Sequence, residues 1–178
     1  MHALNNLYRF SGALAALNLC AIMGLILLQV LGRVWDKLLS LIGQQPWGLH
    51  IPGLAEITGF MLLTATFAGL SYTFRVGGHI RVTLLIQRLG WLWRRRLELL
   101  ILAIALALSL YACWFALTLT LESYQFNDVS IGMVPILLWI PQSLMTLGLA
   151  LLSLALAHTW VEVWQGDFHT LELSGHQE

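Results

Sequence analysis

Charged side chains are scarce in this sequence: Asp, Glu, Lys and Arg make up 10% of its 178 residues, against about 25% in ordinary soluble domains. Hydrophobic residues reach 58%, above the roughly 45–50% that is usual. A soluble domain of this length could not bury so much apolar surface, so the composition predicts an integral membrane protein. The formal net charge of zero also excludes the electrostatic footprint of a nucleic-acid-binding protein.

Cysteine is almost absent as well. Cys20 and Cys113 lie far apart, each inside an apolar run, where a thiol is typical as a small hydrophobic side chain. No cysteine–histidine cluster has the spacing of a zinc site. We therefore expect neither a disulfide nor a redox pair, and no metal centre.

Four apolar runs are each long enough to cross a membrane, which takes roughly 20 helical residues. They cover about residues 11–34, 54–74, 97–121 and 133–163. The first is longer than the roughly 7–15 apolar residues of a signal peptide, and no small-x-small cleavage site follows it. We interpret it as an uncleaved membrane helix. The sequence thus predicts an all-α integral membrane protein with four transmembrane helices in a single domain.

Basic residues are distributed unevenly between the connections. The connection from the second run to the third holds Arg75, Arg81, Arg88, Arg94, Arg95 and Arg96, whereas residues 122–134 contain no Lys or Arg. The positive-inside rule places the arginine-rich connection on the cytoplasmic side. Four spans then put both termini in the cytoplasm, in agreement with Arg9, and leave Arg33 and Lys37 outside.

Two connections have the pattern of amphipathic helices that lie in the membrane interface. Residues 34–43 place apolar side chains on one helical face before the QQPWG break. Residues 82–93 repeat apolar side chains at helical spacing, while arginines recur every seven positions on a different face. The alternative for residues 82–93 is an inward extension of the third helix. The residues expected to contact anionic lipid headgroups are Arg75, Arg81, Arg88, Trp91, Trp93, Arg94, Arg95 and Arg96.

The tail, residues 164–178, carries Asp167, Glu172 and Glu178. Its acidic, weakly hydrophobic composition predicts a solvated segment without a packed core.

Few polar groups are placed to carry chemistry. GGHIRV, residues 77–82, lacks the GxxxxGK[ST] frame of a phosphate loop, and His79 has no second ligand at helical spacing. A haem anchor needs two axial histidines, and only His158 lies within a span. Glu56 is a candidate for proton coupling, as in small exporters, but its boundary position favours an interfacial hydrogen bond or an interchain contact. We predict no catalytic, cofactor-binding or metal-binding residue, and a chain suited to packing against another membrane subunit.

Several motifs occur in an order that resembles a known family. QVLGRVW (29–35) ends the first run, Glu56 opens the second, GGHIRVTLL (77–85) follows it, and IGMVPILLWIPQSLMTLG (131–148) opens the fourth. Over about residues 10–163, this order and spacing resemble the small, DctQ-like membrane subunit of tripartite ATP-independent periplasmic (TRAP) transporters. The resemblance carries over no catalytic residue. The matching positions, expected at structural or subunit contacts, are Arg33, Glu56, Gly78, His79, Arg81, Val82, Trp139 and Pro141.

The sequence departs from the family pattern in three places. Gln29 stands where the family often has Asn, and Thr83 stands where an acidic residue is frequent. The segment 36–53 is longer than is usual in the family, which suggests that this outer segment serves a particular partner.

The resemblance implies a secondary transporter of the bacterial inner membrane. A periplasmic binding protein would deliver a solute, typically an organic acid, to a large membrane subunit that moves it with a sodium gradient. The small subunit would pair with the large one, and its expected partners are that subunit, the binding protein and anionic lipids. Two rival functions stay open: a membrane anchor of a redox enzyme, which would show a Soret band, and a small exporter that acts alone.

Overall fold

The structure is a computed structural model that describes residues 2–48, 50–76 and 91–165. These residues form the helices α1 (His2–Leu41), α2 (Leu54–Arg75), α3 (Trp91–Phe126) and α4 (Trp139–Gln165). Within the described ranges the only β pairing is an isolated bridge between Val129 and Leu137. All four helices are long and apolar enough to cross a membrane. For the described residues, the predicted all-helical fold with four helices capable of crossing a membrane is therefore confirmed.

The first helix is longer than its predicted span. α2 begins and ends within one residue of the predicted 54–74 span, but α1 continues past Val34 to Leu41. It ends where Gly43 adopts φ +77° and the N–H of Gln44 bonds the carbonyl of Leu39 at 3.0 Å, a left-handed glycine cap. The predicted interfacial segment 34–43 is therefore continuous with α1 as far as Leu41, and its position in the membrane interface stays a prediction.

The third helix also exceeds its predicted span of 97–121, since α3 runs from Trp91 to Phe126. Residues 91–93 of the predicted interfacial helix therefore belong to α3, as the inward-extension alternative expected. The rest of that predicted helix, residues 82–90, lies outside the described residues. The predicted tail, residues 164–178, begins too early, because Trp164 and Gln165 are the last residues of α4. Residues 166–178 lie outside the described residues.

The fourth helix begins later than predicted, at Trp139 instead of residue 133. Residues 127–138 form a tight loop, in which the N–H of Ser130 bonds the carbonyl of Ile136 at 2.9 Å. The N–H of Ile136 in turn bonds the Ser130 hydroxyl at 3.1 Å. Pro141 is the third residue of α4 and is buried. Proline is tolerated there because first-turn N–H groups have no acceptor within the helix.

In the described part of the chain, the helices pack as an open row in the order α1, α2, α4, α3. Extensive contacts join α1 to α2, α2 to α4, and α4 to α3. Each outer helix thus has one main neighbour and leaves most of its apolar circumference exposed. One terminus of each helix lies on the same side of the row, and the residues on this side include Tyr8, Arg75, Arg95 and Glu162. We call this side the arginine end. The opposite end, with residues 42–53 and 127–138, is the loop end.

Glycines allow the closest approaches between neighbours in the row. A Cβ built on Gly148 of α4 would lie 2.6 Å from both the carbonyl carbon and oxygen of Phe67 in α2. A Cβ on Gly12 of α1 would lie 2.6 Å from the Tyr72 ring in α2. Small residues at such crossings let backbones approach and increase van der Waals contact, which is what holds helices together in lipid.

Replacing Gly148 with Ala should lower the free energy of unfolding by about 1–3 kcal/mol, because the methyl group would push α4 away from the α2 backbone. Gly24→Ala is the matched control, since its added Cβ meets nothing within 4 Å and alanine favours the helix by about 1 kcal/mol. Thermal unfolding of both variants in one detergent, followed by circular dichroism, measures the difference. Wild-type stability of Gly148→Ala would contradict the close α2–α4 crossing.

Candidate functional site

A charged pair joins α2 and α4 at the arginine end. Arg75, the last residue of α2, donates from Nη1 to Glu162 Oε2 at 2.7 Å and from Nη2 to Oε1 at 3.3 Å. The Arg75 and Glu162 side chains are only 16% and 14% exposed. Arg75 Nη1 also donates to the Thr159 hydroxyl at 3.2 Å. Two parallel bonds to one carboxylate fix both side chains in direction as well as in distance.

Groups from α1 and α4 surround this pair. His158 Nε2 lies 3.5 Å from Glu162 Oε1, one turn away on α4. The ring centroid of Tyr8, from α1, lies 5.9 Å from the guanidinium carbon of Arg75, within reach of a cation–π attraction. Tyr8 is 1% exposed. A single guanidinium therefore links α1, α2 and α4.

Helical spacing explains why these groups meet. On α4, residues 158, 159 and 162 are three or four positions apart and share a face. On α2, Ser71 precedes Arg75 by one turn and its hydroxyl lies 3.0 Å from that of Ser11 in α1. A cation in the last turn of α2 also interacts favourably with the negative end of the helix dipole.

The sequence prediction assigned Arg75 to lipid and gave Glu162 no role, so it missed this pair. Two opposite charges at the same predicted end of two spans were the available signal. To identify Glu162 as the partner of Arg75, one must know that α4 packs beside α2.

A second set of polar contacts runs between α3 and α4 within the apolar segments. The hydroxyls of Ser109 and Ser153 are 2.8 Å apart, and those of Thr120 and Thr146 are 3.1 Å apart. Ser153 also bonds the carbonyl of Leu149 at 2.9 Å. Such hydroxyls stabilise helix association by about 0.6 kcal/mol each on average. Their arrangement holds helices together and leaves no reactive group aimed at a pocket.

At the loop end, Glu56 packs against the loop that precedes α4. A Cβ on Gly132 would overlap the Glu56 carboxylate, and a Cβ on Gly53 would lie 3.0 Å from Val134 Cγ2. The boundary position of Glu56 was predicted from the sequence, and the structure places it in the first turn of α2. Its carboxylate lies against Gly132, and its Oε2 is buried without a hydrogen-bond partner among the described residues.

The other predicted site residues fall into four groups. Trp139 contacts Tyr124 edge-on, with ring centroids 5.7 Å apart, and Arg95 Nη2 donates to the carbonyl of Trp164. Arg33, Trp93 and Arg96 are exposed on the helix surfaces. Trp91 and Arg94 belong to the first turn of α3. The predicted residues that lie outside the described ranges are Gly78, His79, Arg81, Val82 and Arg88.

Among the described residues, no group of three or more His, Cys, Asp and Glu side chains is arranged to hold a metal ion. The residues that are brought together serve contacts between helices.

Glu162→Gln should lower the free energy of unfolding by about 1–3 kcal/mol, because it leaves the partly buried guanidinium of Arg75 without its counter-charge. Combined with Arg75→Met, the loss should be smaller than the sum of the single losses, with a coupling of about 0.5–3 kcal/mol. Glu122→Gln, the same change at an exposed position of α3, is the control. Thermal unfolding of the four variants measures the coupling, and additive single effects would contradict a paired role.

Comparison of the sequence with known proteins identifies a matching family. The sequence profile described as "Tripartite ATP-independent periplasmic transporters, DctQ component" matches residues 22–166, a range that includes the second half of α1 and all of α2, α3 and α4. No curated protein and no solved structure matches the chain significantly. The family is a transporter component and not an enzyme family, and its members are multi-pass proteins of bacterial inner membranes that associate with a large TRAP membrane subunit and a binding protein. The chain therefore belongs to the DctQ family, the small membrane component of TRAP transporters.

Proposed function

We propose that this chain is the accessory subunit that holds the large membrane subunit of a sodium-driven transporter in position while a periplasmic binding protein delivers an organic acid. The observation that carries the proposal is the match of the DctQ profile to residues 22–166. Sodium as the coupling ion and an organic acid as the solute are expectations that come from the family resemblance.

The contacts between the helices favour a static role, in which this chain supports the large subunit, over a role in moving the solute. Charged and hydroxyl contacts connect every neighbouring pair in the row, and the Arg75–Glu162 pair ties the middle two helices at one end. Substrate-carrying transporter helices are often interrupted near the membrane centre. The helices α1–α4 run without such a break from their first residue to their last. A rigid row with two open apolar sides offers the large subunit a long surface to pack on.

Orientation follows from the arginines. With the arginine end in the cytoplasm, Arg9, Arg75, Arg95 and Arg96 would face the inner leaflet, as the positive-inside rule expects. The loop end, where the 42–53 and 127–138 segments lie, would then face the periplasm. This is also the side from which a binding protein delivers its solute.

The proposal predicts uptake only from the complete system. The chain is co-expressed with its large subunit, reconstituted into proteoliposomes, and supplied with the purified binding protein and a labelled organic acid that this protein binds. Uptake should require an inward sodium gradient and should fall to background when potassium replaces sodium or when the small chain is omitted. Transport by the small chain alone, or a Soret band in its absorption spectrum, would overturn the proposal in favour of an exporter or a redox anchor.

Anchoring by the arginines is tested separately. Replacing Arg81, Arg88 and Arg95 with Ala should reduce co-purification of the large subunit and uptake, since each cation near an anionic leaflet contributes about 1 kcal/mol. Lys37→Ala removes an exposed cation from the opposite end of the helices and serves as the control. Unchanged co-purification and uptake in the triple variant would count against anchoring by these residues.

A further inference from the structure

An apolar groove lies on the surface between α3 and α4, near the arginine end. Its volume is about 260 Å³, and it is lined by Ala103, Leu106, Ala107, Leu110 and Trp160. The two alanines are exposed and make an indentation between the leucines and the indole. The lining is almost wholly apolar, as expected for a surface that contacts hydrocarbon.

The groove points toward two arginines. Its α3 residues follow Arg96 by 7, 10, 11 and 14 positions, spacings that return to the same helical face. At about 1.5 Å per residue, the groove begins about 10 Å along the helix from Arg96, whose side chain is exposed. The preceding residue, Arg95, reaches across to α4 and donates to the carbonyl of Trp164. Among the described residues its Nε has no acceptor, although it is buried.

An aromatic pair marks the end of the groove nearest the arginines. Trp160 lines the groove, and Trp164 lies one turn further along α4 with its ring centroid 5.2 Å from that of Trp160. Tryptophan is enriched at the depth where hydrocarbon meets headgroups. Apolar lining, indole rings and guanidinium groups therefore follow one another along one line, in the order of acyl chain, interface and headgroup in a lipid.

We propose that this groove is a specific binding site for an anionic glycerophospholipid, with one acyl chain between Ala103 and Leu110 and the phosphate at Arg95 and Arg96. The two arginines beyond the apolar lining favour a lipid over a partner helix, because an acyl chain and a phosphate match the apolar lining and the guanidinium groups in turn. The charge selects among lipids. Basic pockets between transmembrane helices recognise phosphate headgroups, and a net negative lipid neutralises two arginines better than a zwitterionic one.

This site differs from diffuse attraction of cations to a membrane surface. Diffuse attraction depends on the number of charges and has no preferred position on the protein, whereas the groove predicts saturable binding at one face of α3. The site is independent of transport, and its test needs neither uptake nor the large subunit.

The test uses the full chain in nanodiscs of phosphatidylcholine, with a trace of phosphatidylglycerol that carries a photoactivatable acyl chain. Cross-linked peptides identified by mass spectrometry should cluster at residues 103–110 and at Trp160. Unlabelled phosphatidylglycerol should compete at lower concentration than phosphatidylcholine with the same chains. Inorganic phosphate should not compete, because the acyl chain supplies much of the binding.

Two variants separate the parts of the site. Ala107→Leu fills the groove and should reduce labelling there at least fivefold. Arg96→Gln should reduce it about fivefold, which corresponds to about 1 kcal/mol for one cation near the headgroups. The matched controls are Ala16→Leu on the exposed face of α1 and Arg9→Gln at the same end of the row, both exposed. Both controls should label like the wild type.

Each alternative outcome overturns a defined part of the proposal. Equal losses in the variants and their controls, or labelling that does not saturate, mean diffuse adsorption. A loss with Arg96→Gln but not with Ala107→Leu removes the groove from the site, and the reverse removes the headgroup assignment. Competition by inorganic phosphate means a phosphate site without a lipid. Ala103→Leu repeats the groove test, and circular dichroism of every variant establishes that it is folded.

Discussion

In lipid, an apolar helix surface gains no hydrophobic stabilisation by leaving the acyl chains for another apolar helix. The row of four helices has to be held by something else, and the structure shows two devices that do so. Glycines bring backbones together, as at Gly148 and Phe67. Polar side chains bond across each crossing, and the Arg75–Glu162 pair is the strongest of these contacts because both partners are charged and largely withdrawn from solvent. Since the large exposed apolar surface does not drive the helices together, their order in the row depends on a few polar residues.

The open row of helices is consistent with association through a few polar and glycine contacts. A closed bundle would surround its polar contacts with four helices, whereas here each outer helix meets one main neighbour. The open sides of α1 and α3 therefore stay available to lipid or to another membrane subunit. For an accessory component of a transporter, a flat row with a broad surface extends the protein laterally in the membrane. The polar contacts then resist bending of the row, and the apolar faces permit attachment without a charged interface.

The number and type of helices could be predicted from the sequence because hydrophobic run length alone determines whether a helix can cross a bilayer. The ends were harder to predict. α1 extends to Leu41 because polar residues such as Asp36 and Lys37 do not end a helix, while the left-handed Gly43 does. α4 starts late because Ser130 closes a loop over residues 127–138. The family could also be predicted, from the order of motifs around the helix ends. The pairing of Arg75 with Glu162 could not, because 87 residues separate the two and periodicity within one helix does not reveal which helix lies beside it.

The spatial order of the row has a consequence for how the protein is made. α4 lies between α2 and α3, yet it is the last of the four to leave the ribosome. Until it does, Arg75 on α2 and Ser109 on α3 have been synthesised without Glu162 and Ser153, their partners on α4. The contacts of α2 and α3 with α4 can therefore form only after α4 has been synthesised. Once α4 has been made, it can join α3 to the α1–α2 pair, and Glu162 then supplies the counter-charge of Arg75.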